Sequence, residues 1–151
     1  MTLWFLLHYV GTALWLGGGL AGMLIGIRGR RESLAAQGAV VRLQGTLHQL
    51  IISPGAGLTV LSGIFLTMRT MALGNAAPGG WLMVMQVGGM LGAILTLFVG
   101  LPTAARLARC EAEGPTAPLF NQLRRRQAQV GTLSGTLGWI ALVAGAAMRA
   151  G

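Results

Sequence analysis

The chain contains no lysine and no aspartate, and only three carboxylate side chains, Glu32, Glu111 and Glu113. All 11 basic residues are arginine, which leaves a net charge of +8. Charged residues make up 9% of the 151 positions, whereas a soluble domain carries about 25%. Too few polar groups exist to cover a water-facing surface, and the mean hydropathy of +0.68 agrees. Each missing group removes a chemistry. Without lysine there is no Schiff base and no phosphate loop ending in that residue. Without aspartate nothing orients a histidine beside a serine, and no pair of carboxylates shares one span for acid–base work. The single Cys110 excludes an internal disulfide and any CxxC site. Proline is also scarce, with 5 residues, and no Ser/Gln-rich tract accompanies the 25 glycines, so a disordered chain is excluded.

What is present is long uncharged runs. Residues 2–27, 43–68, 81–101 and 130–148 carry no formal charge. A helix needs roughly 20 apolar residues to cross the hydrocarbon core. The runs lack the two-residue alternation of barrel strands. The expected fold is therefore all-α, a single domain over 1–151, with four transmembrane helices in an antiparallel bundle. The first run lacks a basic segment ahead of it and is longer than a secretory signal core, so it reads as a retained anchor.

The arginines set the orientation. Arg28, Arg30, Arg31 and Arg42 fall in or beside the first connection, and Arg106, Arg109, Arg124, Arg125 and Arg126 in or beside the third. Arg69 and Arg149 stand alone on the other side. The positive-inside rule puts the first and third connections in the cytoplasm and both termini outside. Trp4, Tyr9 and Trp81 then fall near the outer interface as an aromatic belt, and Cys110 is a reduced cytoplasmic thiol. Arginines placed between apolar runs meet anionic lipid rather than nucleic acid, and Arg28, Arg30, Arg31, Arg124, Arg125 and Arg126 are the expected headgroup contacts. The stretches 33–42 and 119–129 have helical composition and would lengthen helices two and four. Pro102 reads as the exit of helix three, Gly114-Pro115 as a loop, Gly74 to Gly80 as a short outer connection, and Ser53-Pro54-Gly55 as a mid-membrane kink.

Small residues recur at every fourth position: Gly18, Gly22 and Gly26; Gly55, Thr59, Gly63 and Thr67; Gly88, Gly92, Thr96 and Gly100; Gly131 and Gly135, with Ser134 and Gly138 on a neighbouring row. Such rows form grooves that let helix backbones approach in lipid. They serve either the bundle itself or a neighbour. Trp15, Phe98 and Trp139 read as wide, outward-facing residues beside them.

Two ionisable residues lie inside the spans, His8 and His48. Each reads either as a ligand of haem b or a chlorophyll-type pigment, or as a side chain satisfied by a carbonyl or hydroxyl nearby. One iron held by both is disfavoured. His8 lies near the outer end of helix one and His48 near the inner end of helix two, heights that differ by roughly 15 Å. Met68, Met71, Met83 and Met85 flank the outer connection, where thioether sulfur suits Cu(I) but also ordinary apolar packing.

The stretches Leu7-His8-Tyr9-Val10-Gly11 and Leu14-Trp15-Leu16-Gly17-Gly18 resemble the first helix of several small bacterial membrane families: an uncharacterised integral-membrane family, the copper-resistance D-type proteins and the J-type protoporphyrinogen oxidases. Ile51-Ile52-Ser53-Pro54-Gly55 and Leu61-Ser62-Gly63 most resemble the uncharacterised family. The resemblance implies a bacterial inner-membrane location. In the J-type oxidases it implies a haem b ligand at the position of His8, together with a lysine that this chain lacks. The function expected from the residues is non-catalytic, an accessory or scaffold subunit beside other integral subunits of a respiratory or photosynthetic assembly. No cofactor is required by that reading. The alternative is a haem- or tetrapyrrole-binding redox protein using His8 or His48.

Overall fold

The computed structural model describes residues 2–73 and 79–150, and is all-α among them. Helix α1 is Thr2–Gly29. A second rod joins α2 (Leu34–Leu47), a π-helical turn (His48–Ile52) and α3 (Ser53–Ala72). A third joins α4 (Gly80–Ile94), a second π-helical turn (Leu95–Gly100) and α5 (Leu101–Leu107). A 3₁₀ turn at Gly114–Thr116 leads into α6 (Ala117–Ala150). The four rods pack antiparallel and each is long and apolar enough to cross a membrane. The chain is thus a multi-pass membrane protein. Helices are the necessary solution for such runs, because in lipid every backbone N–H and C=O must be satisfied within the segment. Apart from Gly79 and Gly80, the outer connection read at Gly74 to Gly80 lies outside the described residues.

The rods exceed the uncharged runs. Leu34–Ala72 is 39 residues, roughly 58 Å against a core of ~30 Å. Ser33 starts it by accepting the Ala36 N–H on its Oγ at 3.4 Å, an N-cap of the usual kind. Helix three does not end at Pro102 but continues to Leu107. The π turns explain how. A proline offers no N–H and its ring crowds the carbonyl four residues back. For Pro54 that carbonyl belongs to Leu50 and for Pro102 to Phe98, and both lie inside π turns. There the ladder shifts to five-residue bonds: Ser53 N–H donates to His48 O, and Leu101 N–H to Thr96 O. The wider turn absorbs each proline without ending the rod.

Helix α1 lies along α3, and α4 along α6; α1 meets α6 over a much shorter stretch. The α1–α3 seam is backbone on backbone. A Cβ on Gly55 would stand 2.7 Å from Trp15 N and 2.9 Å from Gly11 O, and one on Gly11 would stand 2.8 Å from Thr59 N. Only glycine fits at such a crossing. Two packed cores follow. Inside the spans, Trp15, Leu16, Ile52, Ala56 and Ala93 cluster. Beyond them, at the arginine-rich end, Val41, Leu107, Cys110, Phe120 and Leu123 form a second cluster, with Phe120 only 1% exposed. The first relies on close fit, since lipid tails are as apolar as the helices. The second gathers extensions of α2, α5 and α6 where water supplies a hydrophobic driving force.

Candidate functional site

The polar residues inside the spans come first, because each costs free energy in lipid unless it is partnered. His8 Nδ1 donates to Thr59 O at 2.9 Å and lies 3.2 Å from Ser62 Oγ. A carbonyl only accepts, so the neutral ring carries its proton on Nδ1 and a lone pair on Nε2. Gly63 makes room for this ring, since a Cβ there would stand 3.2 Å from His8 Cε1. His48 is buried in the first π turn and bonds Ser53 Oγ through Nδ1 at 3.1 Å. Its other edge rests on the second π turn, where a Cβ on Gly100 would stand 3.0 Å from His48 Nε2. The partners of His8 begin at Thr59, eleven residues along the rod from His48, so the two rings are about 16 Å apart in height. The structure does not bring them together.

Other polar side chains also bridge rods. Trp15 Nε1 donates to Thr96 Oγ1 at 3.0 Å, Gln44 Nε2 to Gly22 O at 2.7 Å, and Gln86 Nε2 to Thr67 Oγ1 at 2.8 Å. Trp15 is 3% exposed, which corrects its expected outward-facing position. Its indole N–H needs an acceptor, and the second π turn supplies one. Phe98 is 74% exposed and Trp139 is exposed, as wide outward residues. At the end of the bundle away from the paired arginine clusters, Trp4 stacks on Phe65, with ring centroids 4.0 Å apart.

The glycine rows divide. Gly18 meets Ile52, Gly22 meets Leu47 and Ile52, and Gly26 meets the Gln44 amide. Gly88 faces Leu137 O, and Gly92 faces Ser134 O and the Trp15 ring. A Cβ on Gly131 or Gly135, by contrast, would meet nothing within 4 Å, so this row is not filled by the bundle itself. Their side of α6 looks into the gap left where α1 and α6 diverge. Gly138, on the row it shares with Ser134, meets Leu16 and the Trp15 ring, and Gly11 is a close-contact position that the fourfold spacing does not single out.

That gap is a cavity of about 470 Å³, within the roughly 300–1,000 Å³ of small-molecule sites. It lies between α1, α2 and α6, with Trp15 and Thr96 at one end and Arg30, Gln37, Arg124 and Gln127 at the other. From Trp15 to Arg30 along α1 is about 22 Å. Arg124 is half-buried, donates from Nη1 to Gln37 Oε1 at 2.6 Å, and lies 5.7 Å from the Phe120 ring centroid. Arg28, Arg30, Arg31, Arg125 and Arg126 are exposed at the same end. Gln127 Oε1 is buried with no hydrogen-bond partner among the described residues.

The remaining candidates do not converge. Met68, Met71 and Met83 are exposed, whereas Met85 turns its sulfur toward Gly145 of α6, where a Cβ would stand 3.0 Å from Sδ. Among the described residues no three His, Cys, Asp or Glu side chains group as a metal site. No family model, curated protein or solved structure matches the chain, so the likeness of its first two spans to small bacterial membrane families yields no family assignment.

Proposed function

We propose that the chain is a non-catalytic accessory or scaffold subunit of the bacterial inner membrane, packing beside larger integral proteins of a respiratory or photosynthetic assembly. The observation that carries this reading is how its intramembrane polar groups are used. His8, Gln44, Trp15 and Gln86 each bond a different rod from their own, and His48 bonds within its rod while resting on another. Polar groups spent as ties between helices rigidify a bundle. They do not point at a common reacting atom, as a catalytic constellation would. A rigid bundle with apolar outer faces is suited to hold neighbours in register. The test is isolation of the tagged chain in mild detergent. The expected result is a second integral protein retained in fixed ratio through size exclusion; a monodisperse lone chain contradicts the reading.

One observation favours a second reading. With Nδ1 committed to Thr59 O, His8 keeps its Nε2 lone pair, the arrangement seen when a histidine ligates iron and a carbonyl fixes its other nitrogen. Haem b or another tetrapyrrole bound there would give a Soret band that His8→Ala abolishes and His48→Ala leaves in place.

A further inference from the structure

Arg30 and Arg124 both line the cavity between α1, α2 and α6. No carboxylate faces them there. The chain's acids are Glu32, Glu111 and Glu113, and none contributes to the cavity wall. The Arg124 guanidinium is only partly occupied, by the neutral Gln37 amide. Two guanidinium groups at one end of a partly apolar cavity therefore lack an anion. The rest of the wall is of a different kind. Leu20, Met23 and Ile27 of α1 and Gly131, Gly135 and Trp139 of α6 also line it, and with Leu20, Met23, Ile27 and Trp139 all exposed the cavity is open at its side, an apolar groove leading away from the charges toward the middle of the spans.

We propose that this cavity seats one anionic glycerophospholipid. Its phosphate lies between Arg30 and Arg124, and one acyl chain runs between α1 and α6 over Gly131 and Gly135. Three features select this ligand. The phosphate matches guanidinium forks, which bind it through paired N–H donors. The arginines lie at the end of the rods where a headgroup layer would be, with the apolar channel pointing into the bilayer. The open glycine face of α6, where a Cβ on Gly131 or Gly135 would meet nothing within 4 Å, leaves room for an apolar chain. A phosphatidylcholine head is zwitterionic and brings its own cation, so it offers this end no net negative charge. The inference is independent of the scaffold reading, because a lipid can occupy the cavity of a lone bundle or of a subunit in a complex.

The experiment uses the full chain in nanodiscs, with Trp4 and Trp81 changed to Phe so that emission comes from Trp15 and Trp139, which line the cavity. Phosphatidylglycerol with brominated acyl chains is titrated into unbrominated phosphatidylcholine, and brominated phosphatidylcholine is titrated in parallel. The expected result is a saturable quenching component at low mole fraction of phosphatidylglycerol, at least about tenfold tighter than with phosphatidylcholine. Arg30→Gln with Arg124→Gln should abolish that preference. Gly135→Leu, which fills the channel and leaves both arginines in place, should weaken the saturable component; this second route holds even if the double variant fails to fold. Equal quenching by the two lipids overturns the proposal. So does full displacement by 10 mM inorganic phosphate, on the order of which a head-only anion site would fill, and so does a visible absorption band showing a pigment in the cavity.

Discussion

Trp15 Nε1 donates to Thr96 Oγ1 at 3.0 Å, and this bond joins α1 to the second π turn across the centre of the bundle. Thr96 in turn donates to Gly92 O at 2.9 Å, so one hydroxyl serves both the rod's own backbone and its neighbour. The α1–α3 pair is held to the α4–α5 rod at this point.

Losing the bond alone should cost little, and losing the ring should cost much. Trp15→Phe is expected to destabilise the fold by about 1 kcal/mol, the range of polar ties between membrane helices. Trp15→Ala empties the middle of the inner cluster and is expected to cost about 3–5 kcal/mol. Thermal unfolding in detergent, monitored by circular dichroism, gives both values. Equal losses for the two variants would mean that the hydrogen bond, not the packing, holds the centre.

The glycines should sort by what faces them. Gly55→Ala presses a methyl onto the Trp15 and Gly11 backbones, which cannot yield as a side chain would, and is expected to cost about 1–3 kcal/mol. Gly131→Ala meets nothing within 4 Å. It should be neutral or stabilising by up to about 1 kcal/mol through helix propensity. The same unfolding measurement separates them.

His48 and Gly100 should be coupled. Gly100→Ala sets a methyl about where the imidazole edge lies, so the single variant is expected to be destabilised by roughly 1–3 kcal/mol. Combined with His48→Ala, the added methyl enters space the ring has vacated. The double variant should then be more stable than the sum of the singles by about 0.5–2 kcal/mol. Strict additivity would show that the two π turns do not bear on each other.

The number and antiparallel order of the spans were legible in the sequence because charge is excluded from lipid, and the uncharged runs are simply counted. The helical extensions at 33–42 and 119–129 were legible from their composition. The faces were not. In lipid the outward and inward positions of a helix are both apolar, so Trp15 and Phe98 look alike in sequence although one is buried and the other bare. Glycine spacing shares this blindness, since Gly88 and Gly131 sit in similar rows and only one meets a neighbour. Pro102 looked like a terminus because the compensating π turn depends on Thr96 and Gly100 packing against Trp15 and His48, contacts no local motif announces. Of the candidate site, the arginines and histidines were visible. Their division into a cavity wall, exposed positions and helix ties was not.

The packing, the cavity and the ties between rods all presuppose four crossings of one bilayer, and cysteine accessibility tests those crossings most directly. With Cys110 changed to alanine, single cysteines at Ser33, Arg69, Gly80 and Thr116 are probed with a membrane-impermeant maleimide in intact cells and in everted vesicles. The expected result is that Ser33→Cys and Thr116→Cys react only in everted vesicles, while Arg69→Cys and Gly80→Cys react in intact cells. Ser33→Cys and Thr116→Cys labelled from opposite sides, or all four labelled from one side, would contradict the four-span account.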